Sequence, residues 1–143
     1  MISSEAAKKA FKWSLRSKTN LKGVHPDLVQ VCDAALSLSP YDFIITDGLR
    51  TPEEQKQMVA SGASQTLNSR HLPQQKDGLA YAIDFCVLLD GKVRWEFALY
   101  KEVSGAFKKA AAKLGVAIVW GGDWARFKDG PHIELDRKVY PGK

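Results

Sequence analysis

The chain carries only two cysteines, Cys32 and Cys86, and each lies inside an apolar run. A disulfide-stapled scaffold is thereby excluded, and the lack of any Cys-x-x-Cys pair excludes a cysteine-based zinc finger. Both thiols read as buried and free. Long hydrophobic runs are missing as well: nothing approaches the roughly 20 apolar residues that cross a bilayer. No early apolar run follows the basic N-terminus, so neither membrane insertion nor a signal peptide is expected. The chain is expected to be made in the cytoplasm, and work outside it would need a separate exit route. No Gly-x-Ser-x-Gly elbow occurs, and Cys32 falls on the apolar stripe of a helix, so serine and cysteine nucleophiles have no support. Internal repeats and low-complexity segments are also absent.

What the chain does have is ordinary for one globular domain, taken as residues 1–143 with 1–19 as an N-terminal lead-in: 143 residues, 45% of them hydrophobic and 26% charged. Lys and Arg number 21 against 16 acidic residues, for a net charge of +5, which favours an anionic partner such as nucleic acid or an acidic cell-wall polymer. The basic residues are spread along the chain, apart from a denser run from Lys8 to Lys22. The aromatics fall on core stripes and no nucleic-acid motif occurs, so nucleic acid ranks last as a partner.

Periodicity places the elements. Residues 1 to 24 read as a lead-in segment with a mobile tip, in which Ser4 to Trp13 has the pattern of a short amphipathic helix and polar Ser17-Lys-Thr-Asn20 leads on to Gly23. Pro26 opens a helix with Leu28, Val31, Cys32 and Ala35 on one stripe, ending between Ser37 and Pro40, and His25 reads as its cap. Tyr41 to Thr46 reads as a strand. Thr51-Pro-Glu-Glu54 is a capping box that starts a helix running to about Gly62. Leu79 to Leu89 reads as a strand with Ala80, Ala82 and Asp84 on one face, turned by Asp90-Gly91 into a short return at Lys92 to Trp95. Phe97 to Leu114 is a long helix closed by Gly115, followed by strands at Val116 to Trp120 and Pro131 to Leu135, the latter with His132 and Glu134 on one face. The expected fold is α+β, a small, mainly antiparallel sheet with helices packed about it.

Two of the three histidines, His71 and His132, stand in informative company. With Asp84 they form a set of two imidazoles and a carboxylate, which suits zinc and leaves a fourth position for water. Asp129 precedes His132 by three residues, with Gly130 and Pro131 bending the chain between, so its carboxylate can stand beside a metal without occupying it and serve as general base and acid. Spacing alone makes Arg50 a surface ion-pairing residue.

Gly48-Leu-Arg50-Thr with Gln55, Ser69-Arg-His71 with Ala82-Ile-Asp84, and Asp129-Gly-Pro-His132 together resemble the zinc peptidoglycan peptidases of the VanY/D-alanyl-D-alanine carboxypeptidase superfamily. Val24-His-Pro-Asp-Leu-Val-Gln-Val, the run ending at Phe43 and Gly122-Asp-Trp124 make the chain most similar to phage endolysins that act as L-alanyl-D-glutamate endopeptidases. The resemblance spans about residue 20 to 135. It implies a hedgehog/DD-peptidase-like fold, Zn2+ on His71, Asp84 and His132, and Asp129 as catalytic acid/base. It further implies that Arg50 orients substrate or stabilises an oxyanion, that Gln55 supports that pocket, and that Ser69 packs behind the ligands or binds substrate. The substrate implied is the peptidoglycan stem peptide; a monomer is expected, reaching the wall through a holin-like route if it is phage-encoded.

The segment between His71 and Asp84 is longer than the family's compact Ser-x-His-x-x-Gly-x-Ala-x-Asp, and Ala80 stands at its glycine position. Asp77, inside that longer segment, is a competing ligand candidate, while Asp84 keeps the motif's register. Glu134 and Asp123 read either as carboxylates behind the ligands or as surface residues. A D-alanyl-D-alanine carboxypeptidase and a non-catalytic wall-binding module with a retained metal are the alternatives.

Overall fold

A computed structural model describes residues 11–64 and 66–143; the helix expected at Ser4 to Trp13 lies largely outside them, and Phe11 to Trp13 are not helical. The elements run α1 (Leu15–Asn20), α2 (Pro26–Leu38), β1 (Asp42–Asp47), α3 (Pro52–Ala60), β2 (Ala82–Leu89), β3 (Lys92–Arg94), α4 (Phe97–Leu114), β4 (Ile118–Trp120), a 3-10 turn (Gly121–Asp123) and β5 (His132–Leu135). Among the described residues the five strands pair antiparallel throughout, in the order β1-β2-β5-β4, and β3 pairs with β2 beyond the end of β5. The α+β architecture expected from periodicity is present.

The sheet divides its two faces by alternation. Ile83, Phe85, Val87, Ile133 and Leu135 point into the core, where Phe43, Phe85 and Phe107 meet with ring centroids 5.2 to 5.6 Å apart. Helices α2 and α4 close that core with Leu28, Val31, Ala35, Val103, Phe107 and Ala110. Ala82, Asp84, His132 and Glu134 take the opposite face. Asp84 is the direct cross-strand partner of His132, and Ala82 of Glu134, so pairing β2 to β5 in this register brings two of the expected ligands side by side. A one-residue slip of either strand would turn its ligand into the apolar core.

Local signals set the element ends. Thr51 Oγ1 accepts from Glu54 N while Glu54 Oε1 accepts from Thr51 N, the capping box expected for α3. Asp90 and Gly91 both adopt positive φ, 52° and 77°, as a two-residue hairpin between right-twisted strands requires. His25 caps α2, its Nδ1 accepting from Asp27 N at 3.0 Å.

The polar part of the lead-in, where periodicity predicts no helix, forms helix α1, and its polarity has a structural cause. β1 lies at the sheet edge, and Ser17 Oγ accepts from Ile45 N at 2.9 Å while Asn20 Nδ2 donates to Ile45 O at 2.9 Å. The two side chains thus satisfy edge backbone groups that have no neighbouring strand. Periodicity missed this because the buried positions are hydrogen-bonding rather than apolar.

Candidate active site

The loop that carries His71 is pinned on both sides. Arg50 N donates to His71 O at 2.8 Å, His71 N donates to Ser69 Oγ at 3.0 Å, and Tyr81 N donates to Arg70 O at 2.8 Å. The His71 Nδ1 lies 2.8 Å from Gly48 O. A carbonyl can only accept, so Nδ1 carries the proton and Nε2 presents a bare lone pair toward Asp84. His132 is fixed in the opposite sense: its Nε2 lies 2.8 Å from Glu134 Oε1, so Nε2–H donates to the carboxylate and Nδ1 is left facing Asp84.

Asp84 Oδ1 lies 3.3 Å from both His71 Nε2 and His132 Nδ1, and one ligand atom from each residue lies within 4.8 Å of the others. Bonds of about 2.0–2.1 Å in a tetrahedral array place neighbouring ligand atoms about 3.3 Å apart, so both separations fit a small divalent cation. Burial alone would raise the Asp84 carboxyl, but His71 and His132 outweigh it and hold it well below the usual carboxylate range. At His132 burial works against the charged ring, yet hydrogen bonds to Asp84 and Glu134 prevail and lift its pKa to about 9. That is the electrostatic signature of a negative pocket that takes protons when it holds no metal.

Asp129 reaches this centre from the loop before β5. Burial and the neighbouring Asp84 raise its pKa, against the lowering influence of His132, His71 and Arg50. Gly121 makes the approach possible. A Cβ there would lie 2.4 Å from Asp129 O, 3.0 Å from His132 Cβ and 3.1 Å from Asp129 Cβ, so the bare glycine lets the two residues close on each other, with Asp129 N donating to Gly121 O. In the sequence Gly121 stands out only as half of the Gly121-Gly122 pair, a signal for a turn and not for this close approach.

Arg50 is not on the surface as spacing suggests. It is 5% exposed and its guanidinium donates to Asp47 Oδ2 and to Gln55 Oε1, with Nη2 3.7 Å from Asp84 Oδ2. Gln55, 1% exposed, bonds in turn to Ser64 and to Thr66 O, so it supports the site through Arg50. Ser69 orders the His71 backbone and also lines the cavity. Asp77 stands apart from the ligand cluster, accepting from Tyr81 Oη at 2.8 Å and from Leu79 N. Glu134 is buried behind His132 and also accepts from Arg137, whereas Asp123 is an exposed partner of Lys108. Arg70, which the sequence reading passes over, is buried and donates to the carbonyls of Leu135 and Tyr140, tying the His71 loop to the C-terminal tail. Both cysteines are buried and free, and no helix among the described residues is long and apolar enough to cross a membrane.

The cluster opens into a cavity of about 520 Å³ lined by Arg50, Ser69, His71, Asp84, Asp129 and His132, with Trp124 and Phe127 supplying apolar wall. A cleft of this size admits a short peptide. Two fixed imidazoles and a carboxylate at its base, a further carboxylate beside them and buried cations around them form a constellation suited to metal-assisted hydrolysis.

The chain is similar to several known proteins. Residues 9–143 match the family described as phage L-alanyl-D-glutamate peptidase. The L-alanyl-D-glutamate peptidase of Escherichia phage T5 is 35% identical over 137 residues, covering 93% of this chain and 95% of that protein. The peptidoglycan L-alanyl-D-glutamate endopeptidase CwlK of Bacillus subtilis (strain 168) is 32% identical over 126 residues, covering 78% of this chain and 73% of that one. The crystal structure of the Serratia marcescens L-Ala D-Glu endopeptidase ChiX superposes with a TM-score of 0.83 at 40% identity, covering 96% of this chain and 99% of that one.

Proposed function

The chain belongs to the phage L-alanyl-D-glutamate peptidase family, and on that premise we propose that it is a zinc-dependent endopeptidase that cuts the L-alanyl-D-glutamate bond of peptidoglycan stem peptides. The observation that supports it most is the convergence of His71 Nε2, His132 Nδ1 and Asp84 Oδ1, with both ring tautomers fixed by Gly48 O and Glu134. His71, Asp84 and His132 would hold the zinc. When bound, the metal would polarise the scissile carbonyl and lower the pKa of water from 15.7 toward about 7.

The remaining work falls to the chain's own groups. Asp129 stands at the cavity with its carboxylate beside the ligands; there it takes a proton from the attacking water and delivers it to the departing nitrogen of D-glutamate. Arg50 orients the substrate and offsets the negative charge that develops on the carbonyl oxygen, held for that task by Asp47 and Gln55. Ser69 keeps the His71 backbone in place and borders the bound peptide. Trp124, with its ring centroid 5.1 Å from that of His132, walls the site against water.

The enzyme would act on the cell wall as an endolysin. Digestion of purified peptidoglycan followed by mass spectrometry of the fragments tests this reading. New amino termini on D-glutamate, with glycan strands intact, are expected. Release of terminal D-alanine would move the protein to the carboxypeptidase reaction, and new reducing sugar ends would overturn the peptidase reading.

A further inference from the structure

Five cationic side chains line the cavity: Arg50, Arg70, Arg126, Lys128 and Arg137. Four are engaged within the protein. Arg50 is held by Asp47 and Gln55, Arg70 by the carbonyls of Leu135 and Tyr140, Lys128 by those of Gly122 and Trp124, and Arg137 by Glu134. Among the described residues Arg126 is the lining cation with no hydrogen-bond or ion-pair partner.

Its loop is braced rather than loose. Lys128 Nζ donates to Trp124 O at 3.0 Å, and both Trp124 N and Asp129 N donate to Gly121 O, so Arg126 projects from a small loop held by two backbone bonds and the Lys128 side chain. Phe127, next in the chain, has φ 54° and is 67% exposed. A bulky side chain rarely adopts that left-handed backbone, and such strain gathers at ligand-binding sites. The bend sets Arg126 at the cavity rim three residues before Asp129.

The substrate supplies the missing partner. Glutamate has two carboxyl groups and a peptide continues through only one of them, so a D-glutamyl residue on the leaving side of the scissile bond brings a free carboxylate close to the reacting atoms. A guanidinium matches a carboxylate with two parallel hydrogen bonds. Resting on the function proposed above, we propose that Arg126 is a specificity-determining residue of this site, binding the D-glutamyl carboxylate that does not continue the chain.

The test compares two synthetic stem peptides, one with that carboxylate free and one with it converted to the carboxamide, each incubated with zinc-loaded wild type, Arg126→Gln and Arg126→Lys. Wild type is expected to favour the free carboxylate by about 10- to 100-fold in kcat/KM, the weight of a charged hydrogen-bonded pair. Arg126→Gln should collapse this ratio toward one, chiefly through KM, and Arg126→Lys should keep an intermediate ratio. Retention of the wild-type ratio by Arg126→Gln, or no preference in wild type, overturns the inference. Wild type cutting neither peptide overturns instead the reading of function on which it rests.

Discussion

His132 donates its Nε2–H to Glu134 Oε1 at 2.8 Å, and this one contact decides which ring nitrogen faces Asp84. The carboxylate is itself buried and paired with Arg137, so it acts as a fixed acceptor rather than a competing ligand.

Removing that acceptor should therefore weaken metal binding without removing a ligand. Glu134→Ala is expected to cost about 10- to 100-fold in metal affinity, the usual weight of a partner behind a ligating histidine. Glu134→Gln, which keeps an acceptor oxygen, should retain most of the affinity. Metal titration against a competing chelator measures both, and an unchanged affinity in Glu134→Ala would show that the contact does not set the ring.

Much of this arrangement was legible in the sequence, and the reasons differ by residue. Asp84 and His132 lie on strands whose alternation forces them onto the sheet's polar face, so pattern alone put them there. Thr51 and Glu54 declared the start of α3 because a capping box is a local signal. Arg50 was misjudged by spacing because its burial depends on Gln55 and Asp47, which only the folded chain brings to it. Gly121 and Arg70 were missed for the same reason: one matters through the close approach of Asp129 and His132, the other through a distant C-terminal tail. Helix α1 escaped because the buried Ser17 and the half-buried Asn20 are held by hydrogen bonding to an edge strand rather than by hydrophobicity.

The two candidate carboxylates should separate cleanly. Asp84→Ala is expected to abolish tight metal binding, since Oδ1 is the atom shared by both imidazoles. Asp77→Ala should leave metal content near wild type, because Asp77 serves only Tyr81 and its own turn. Elemental analysis of the two purified variants checks this, and metal loss in Asp77→Ala with retention in Asp84→Ala would reverse the assignment.

Acid should expel the metal. In the metal-free site His132 holds a proton up to a pKa of about 9, and coordination must displace it. The raised pKa favours the protonated, metal-free form at every pH below that value. Apparent affinity should accordingly climb as pH rises from about 5.5 toward 8.5, by up to about tenfold per unit for this one proton. Calorimetric titrations across that range would contradict the account if affinity were flat.

Ser17→Ala should lower stability while sparing the site. It leaves the buried Ile45 N–H without its acceptor, at a cost of about 1–3 kcal/mol. A fall in the urea midpoint with unchanged metal content is the expected result. An unchanged midpoint would mean that Ser17 does not secure the sheet edge.

The most direct test is Asp129→Asn, measured for metal content, thermal melting and peptide release together. The substitution keeps size and leaves His71, Asp84 and His132 in place, but an amide cannot carry the proton from water to the leaving nitrogen. Metal content and melting are predicted to stay near wild type while turnover falls by about 100- to 10,000-fold. A folded, metal-loaded and fully active Asp129→Asn would contradict the assignment of Asp129 as the acid/base.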